Sequence, residues 1–316
     1  MEMIEKDIPV KEAEIPDMGM LRKLAKLPKG VITFFLKKNI AMMRENMGGH
    51  SRDISKRAIK TENRSIPGYK SKIRLQIYVP EGKKQRPLLV FFHGGGWFGG
   101  SMWAVENFCK GVCDQADCVG INVEYHLAPE APFPIGLEDS YAAIKWAVEN
   151  KEYLEIDPTK VVISGDSAGG NFAAAISLMA RERKEFSVNK QILIYPATDL
   201  VGKLMKETSK MPPEMKKINE AMMGMYFKGK VDKIDPRISP VYAKDLSNLP
   251  ATLITVGDQD FLYESSVTFG KKLDAAGTKV KFILYKNANH AFIDDTGTSE
   301  LADDFVREAA EFIKNE

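Results

Sequence analysis

The sequence predicts an α/β fold: a mostly parallel central sheet covered by helices on both faces, with a separate helical cap. Apolar, β-branched runs at 88–92, 119–123, 161–164, 191–195 and 251–256 are nearly continuous, as in strands buried on both sides. Helical spacing appears between and after them: Tyr141, Ile144 and Val148 share one face, as do Leu301, Phe305, Phe312 and Ile313. Strands alternating with helices at this spacing build a helix-covered parallel sheet, with ligands at the strand C-terminal ends.

Two segments break that rhythm, residues 1–55 and 200–235, and of the 15 methionines only Met102 and Met179 lie outside them. Both segments read as amphipathic helices. Methionine is flexible and polarisable, so it suits surfaces that enclose varied apolar groups. The expected division is therefore a first cap part at 1–55, core at 56–199, a second cap part at 200–235 and core again at 236–316. Met222, Met223 and Met225 are the expected pocket-lining side chains of the cap. Within the core, alternation over Ile73–Val79 predicts a half-exposed strand, and Val280–Tyr285 a further one.

The run Val161–Asn171 places Ser167 in Gly-Asp-Ser-Ala-Gly, between an apolar strand and an Ala-rich helix. A serine hydroxyl is a poor nucleophile, and a sharp strand-to-helix turn exposes it above a helix N-terminus. Gly165 and Gly169 fit the same turn, because side chains there would collide as strand and helix pack together. Upstream, the strand ending at Phe92 empties into His93-Gly94-Gly95-Gly96-Trp97. Successive glycines let backbone N–H groups turn toward a ligand, which is what an oxyanion needs. Gly95 and Gly96 are the expected donors there, Gly94 shapes the turn, and Ala168, after the nucleophile, supplies the remaining N–H.

A serine nucleophile requires a base and an acid. Of four histidines only His290 lies downstream of Ser167, in a loop just past the strand Val280–Tyr285. Asp258 and Asp260 follow the apolar strand 251–256, so both carboxylates emerge at a strand's C-terminal end. Spacing and composition leave these two open as the triad acid.

Composition narrows the classes. With 45 basic and 43 acidic residues the net charge is +2, so no nucleic-acid partner is implied. Cys109, Cys113 and Cys118 sit in a helix-to-strand stretch with no histidine or further cysteine nearby to complete a tetrahedral site, so no metal and no cofactor are expected. Three thiols and an acidic N-terminus without an apolar signal region fit a cytoplasmic protein. The apolar stretch Val31–Leu36 is far too short for stable membrane insertion.

These motifs carry a resemblance. His93-Gly-Gly-Gly96, Gly165–Asn171, Tyr125-His-Leu-Ala-Pro-Glu130 with Phe133-Pro134, Tyr195-Pro-Ala-Thr-Asp199 and Asp235-Pro-Arg-Ile-Ser-Pro240 resemble the hormone-sensitive-lipase-like (family IV) branch of the α/β-hydrolases. The resemblance runs from about residue 73 to the C-terminus, and departs at His126, Phe261 and Ala291, where Arg, Pro and Gly are usual. It implies a serine carboxylesterase that hydrolyses small-molecule esters through an acyl-enzyme, with Ser167, Asp260 and His290 as the triad. Asp260 is favoured there because the family's acid precedes x-Leu and an acidic residue, as in Asp260-Phe-Leu-Tyr-Glu264. A lipase or a sugar-ester deacetylase is the alternative activity. Plant hormone receptors of the same fold lose the histidine, which this chain keeps. Homodimerisation is left open.

Overall fold

The computed structural model describes residues 1–10, 19–45, 47–48, 50–82, 84–202 and 213–315. At its centre a nine-stranded sheet is built from β1 (Glu2–Lys6), β2 (Ile59–Pro67), β3 (Lys72–Pro80), β4 (Arg86–Phe92), β5 (Val119–Glu124), β6 (Ile156–Asp166), β7 (Lys190–Ile194), β8 (Ala251–Gly257) and β9 (Val280–Tyr285). The spatial order is β1-β9-β8-β7-β6-β4-β5-β3-β2. β3 runs antiparallel to β2 and β5, and all other pairs are parallel. The parallel strands deliver their C-terminal ends to one edge of the sheet.

Helices are α1 (Gly19–Ala25), α2 (Lys29–Glu45), α3 (Glu106–Ala116), α4 (Ile135–Glu149), α5 (Lys151–Leu154), α6 (Ala168–Arg183), α7 (Pro213–Tyr226), α8 (Tyr263–Ala275) and α9 (Glu300–Lys314). The central strand β4 has Leu88 to Phe92 almost fully buried, which explains its unbroken apolar run. Truncating Phe91 or Phe92 to alanine there should cost about 3–5 kcal/mol. Helix α6 is buried from Ala168 to Ala180, and its alanines and glycines let it lie close on the sheet. Cys109, Cys113 and Cys118 are buried free thiols at α3 and the start of β5; burial pushes the Cys109 and Cys113 thiols well up.

The expectation that residues 1–55 form only cap is corrected at both ends. Glu2–Lys6 is an edge strand parallel to β9, and the Lys6 ammonium reaches Asp304 and Glu308 at 2.5 and 2.6 Å. At the other end the Arg52 N–H donates to Thr296 O, and Asn107 Nδ2 of α3 donates to Ser51 Oγ at 3.0 Å. Strand β2 was also not anticipated. β1 and β2 are the two sheet edges, where strands keep polar residues and show no continuous apolar run.

Helices α1 and α2 pack on α7. Leu24, Ile32 and Leu36 are buried on one side, Ile218, Ala221 and Met225 on the other, and Lys217 Nζ donates to Ala25 O and Leu27 O. Met222 and Met223 are only partly buried. Residues 11–18 and 203–212 of the expected cap, with Met18, Met205 and Met211, lie outside the described residues.

Candidate active site

Strand β6 ends at Asp166 and helix α6 begins at Ala168, leaving Ser167 alone on the turn with φ 51° and ψ −110°. A non-glycine residue with positive φ is strained, and three backbone bonds hold this one. The Ser167 N–H donates to Ile194 O, while Ser167 O accepts from Asn171 N and Ala197 N. A Cβ on Gly169 would stand 1.8 Å from Phe92 O, and one on Gly165 would stand 2.4 Å from the Gly169 backbone. Only glycine lets β4, β6 and α6 meet this closely. Asn171 then ties the turn to two loops, its Nδ2 donating to Ala197 O and Ile238 O at 2.8 Å.

His290 Nε2 lies 3.0 Å from Ser167 Oγ, and His290 Nδ1 lies 2.8 Å from Asp260 Oδ2. Three strand ends thus bring together three residues distant in sequence. Asp260 is buried and its second oxygen accepts from the Leu262 N–H at 2.8 Å, which fixes the carboxylate. Asp258 sits apart from this chain of bonds: its Oδ1 accepts from Asn287 N at 2.8 Å and from Gln259 Nε2 at 2.9 Å. Burial alone would lower the His290 pKa, but the charge and hydrogen bond of Asp260 raise it above the usual imidazole value. Tyr195 and Phe261 flank the imidazole, with ring centroids 4.7 and 4.6 Å away.

The glycine loop is fastened to the turn. The Gly94 N–H donates to Asp166 Oδ1 at 2.7 Å, so it is not free to bind an oxyanion. Gly95 and Gly96 have φ of +113° and +62°, and Trp97 follows with +68°. Phe98 N and Gly99 N donate to Gly95 O, closing the loop on itself. The N–H groups of Gly95, Gly96 and Ala168 donate to no other group among the described residues. Two unpartnered donors in the loop and one at the start of α6 suit a developing negative charge.

Sequence reasoning missed several neighbours. Arg44 of α2 clamps the glycine loop, its Nε donating to Phe98 O at 2.6 Å and a terminal nitrogen to Ala128 O at 2.8 Å; the same terminal nitrogen also reaches Glu130 at 2.7 Å. Tyr226, ending α7, stacks on Trp97 at 4.9 Å. Two further carboxyls sit close by. Burial and then the Asp294 charge push Asp166 up to about 8, and burial pushes Asp294 to about 7 against the opposing pull of His290. Asp166 lies inside the serine motif and was legible there, whereas Arg44 and Asp294 stand in no motif.

The departure at His126 forms a second Ser–His–Asp chain. His126 Nδ1 is 2.7 Å from Asp139 Oδ2 and Nε2 is 2.9 Å from Ser71 Oγ. Asp139 is buried and also accepts from Tyr69 N. Ser71 lies in the exposed turn between β2 and β3, not on a strained strand-to-helix turn. This second chain ties that turn to α4.

A family model described as alpha/beta hydrolase fold matches residues 89–294. The chain belongs to the hormone-sensitive-lipase-like branch of the α/β-hydrolases. This α/β-hydrolase is 35% identical to the carboxylic ester hydrolase LipN of Mycobacterium tuberculosis over 73% of its own length, and spans 63% of that relative. It is 32% identical to an arylesterase of Saccharolobus solfataricus, with 79% of each chain covered. Among solved structures, a hyperthermophilic esterase from the archaeon Pyrobaculum calidifontis superposes with a TM-score of 0.75 at 30% identity, over 94% of this α/β-hydrolase and 97% of that chain.

Proposed function

We propose that this α/β-hydrolase is a serine carboxylesterase that cleaves short- to medium-chain carboxylic esters through an acyl-enzyme. The unbroken chain from Ser167 Oγ through His290 to the buried Asp260, at 3.0 and 2.8 Å, carries the reading. The esterase relatives named above support the reaction class.

Neutral His290 takes the Ser167 proton as Oγ attacks the ester carbonyl. Asp260 accepts from Nδ1–H, holding the tautomer that leaves Nε2 free and stabilising the imidazolium that forms. The N–H groups of Gly95, Gly96 and Ala168 receive the oxyanion, and each such donor is typically worth about 3 kcal/mol of barrier, or ~100-fold in rate. Collapse of the tetrahedral intermediate breaks the ester C–O bond, and the alcohol leaves with the proton from His290. Water then repeats the sequence on the acyl-enzyme, regenerating Ser167 and releasing the acid. The cap (α1, α2 and α7) encloses the acyl chain and sets its length. A cytoplasmic setting keeps the three buried thiols reduced.

Turnover of p-nitrophenyl esters from acetate to palmitate tests this reading. Activity should be highest on the shorter esters, and palmitate preferred over butyrate would refute the size limit.

A further inference from the structure

Helix α2 has two apolar faces, and among the described residues only one is buried. Ile32 and Leu36 are buried within the cap, with Phe35, Ile40 and Met43 half-buried around them. On the other side Val31, Phe34 and Met42 are 46%, 69% and 51% exposed, and Leu27 just before the helix is 40% exposed. At 3.6 residues per turn the three helical side chains fall within about 80° of one another. Single exposed apolar residues are ordinary, but a row of them along one helix marks a contact surface.

The charge around this row identifies the occupant. Residues 19–45 hold seven Arg and Lys and one acid, Glu45, although the whole chain is only +2 and the rest of it is net acidic. Lys37 and Lys38 are exposed beside Phe34, and Lys23, Lys26 and Lys29 are exposed toward the start of the row. A second copy of the chain meeting this face about a two-fold axis would bring cations against cations. An anionic lipid surface answers both features at once, with apolar side chains in the headgroup–acyl boundary and lysines at the phosphates.

We propose that α2 docks this protein on anionic lipid surfaces through Val31, Phe34 and Met42, with Lys37 and Lys38 pairing to lipid phosphates. The helix lies in the interface, since no helix among the described residues is long and apolar enough to cross a membrane. Arg44, at the end of the same helix, holds the glycine loop, so docking brings the candidate site next to the lipid. The proposal is independent of ester hydrolysis, because binding is its readout.

The test is sedimentation of the full chain with vesicles of phosphatidylcholine alone and of equal parts phosphatidylcholine and phosphatidylglycerol, at low and high salt. The protein should sediment with the anionic vesicles at low salt and be released by high salt. Phe34→Asp and, separately, the pair Lys37→Glu/Lys38→Glu should each weaken binding by more than about tenfold, while hydrolysis of dissolved p-nitrophenyl butyrate stays within about twofold and reports that both variants are folded. Failure of the wild-type chain to sediment with anionic vesicles would overturn the proposal, as would equal binding to neutral vesicles. A wild-type dimer that Phe34→Asp converts to monomer, without vesicle binding, would assign the face to a second copy instead.

Discussion

The Gly94 N–H donates to the Asp166 carboxyl at 2.7 Å, so the residue before Ser167 also holds the start of the glycine loop. Asp166 sits almost fully buried beside Asp294, and its pKa is pushed up to about 8 by burial and then by that neighbouring charge. A carboxyl whose folded pKa exceeds its unfolded value of about 3.9 stabilises the fold fully at acid pH. That contribution is lost as pH rises toward the folded pKa.

Asp166→Asn keeps an oxygen for Gly94 and removes the charge. The variant should therefore gain melting temperature relative to wild type at pH 8, and gain little or nothing at pH 4. Thermal unfolding at the two pH values measures this. An equal change at both would show that Asp166 does not titrate with folding.

Asp260 and Asp258 stand two residues apart and do different things. Asp260→Asn should present the wrong tautomer to Ser167 and lower kcat by ~10⁴-fold, as in the serine-protease precedent. Asp258 bonds the Asn287 N–H, so Asp258→Asn should act mainly on stability, by about 1 kcal/mol, with kcat little changed. Kinetics on folded variants with matched melting behaviour rank the two. The reverse ranking would move the triad acid to Asp258.

His290 accepts a proton only when neutral, and Asp260 holds its pKa above the usual value against the effect of burial. Activity should rise with pH through that titration, with its midpoint above about 6.5. In Asp260→Asn the remaining activity should rise at lower pH. A kcat/KM profile flat between pH 5 and 8 would argue against a histidine base.

Helix α7 buries Met225 and leaves Met222 and Met223 partly exposed. Replacing all three with alanine should change the acyl-length profile more than Met179→Ala, which alters a buried residue of α6. An unchanged profile on the ester series would mean that these methionines only fill the cap interior.

Legibility in the sequence followed burial and backbone constraint. Strands β3 to β9 announced themselves because an apolar run or alternation has no other use there, and Gly165, Ser167 and Gly169 because close backbone approach restricts residue choice. Edge strands β1 and β2 were illegible, since their pairing runs through backbone groups while most of their side chains are polar. Arg44 escaped notice for a different reason. Its role depends on α2 crossing above the glycine loop, a tertiary placement that no local pattern encodes. Asp294 likewise acquires meaning only from folding next to Asp166 and His290.

The most direct test of the account is mass spectrometry after reaction with an organophosphonate, on wild type and Ser167→Ala. Ser71 provides an internal control, since it too stands 2.9 Å from a histidine that meets an aspartate, but lacks the strained strand-to-helix turn. A single adduct on Ser167 in the wild type, with no adduct and no ester turnover in a folded Ser167→Ala, is the expected result. Retained turnover in the variant with contamination excluded, or labelling at Ser71 in place of Ser167, would contradict it.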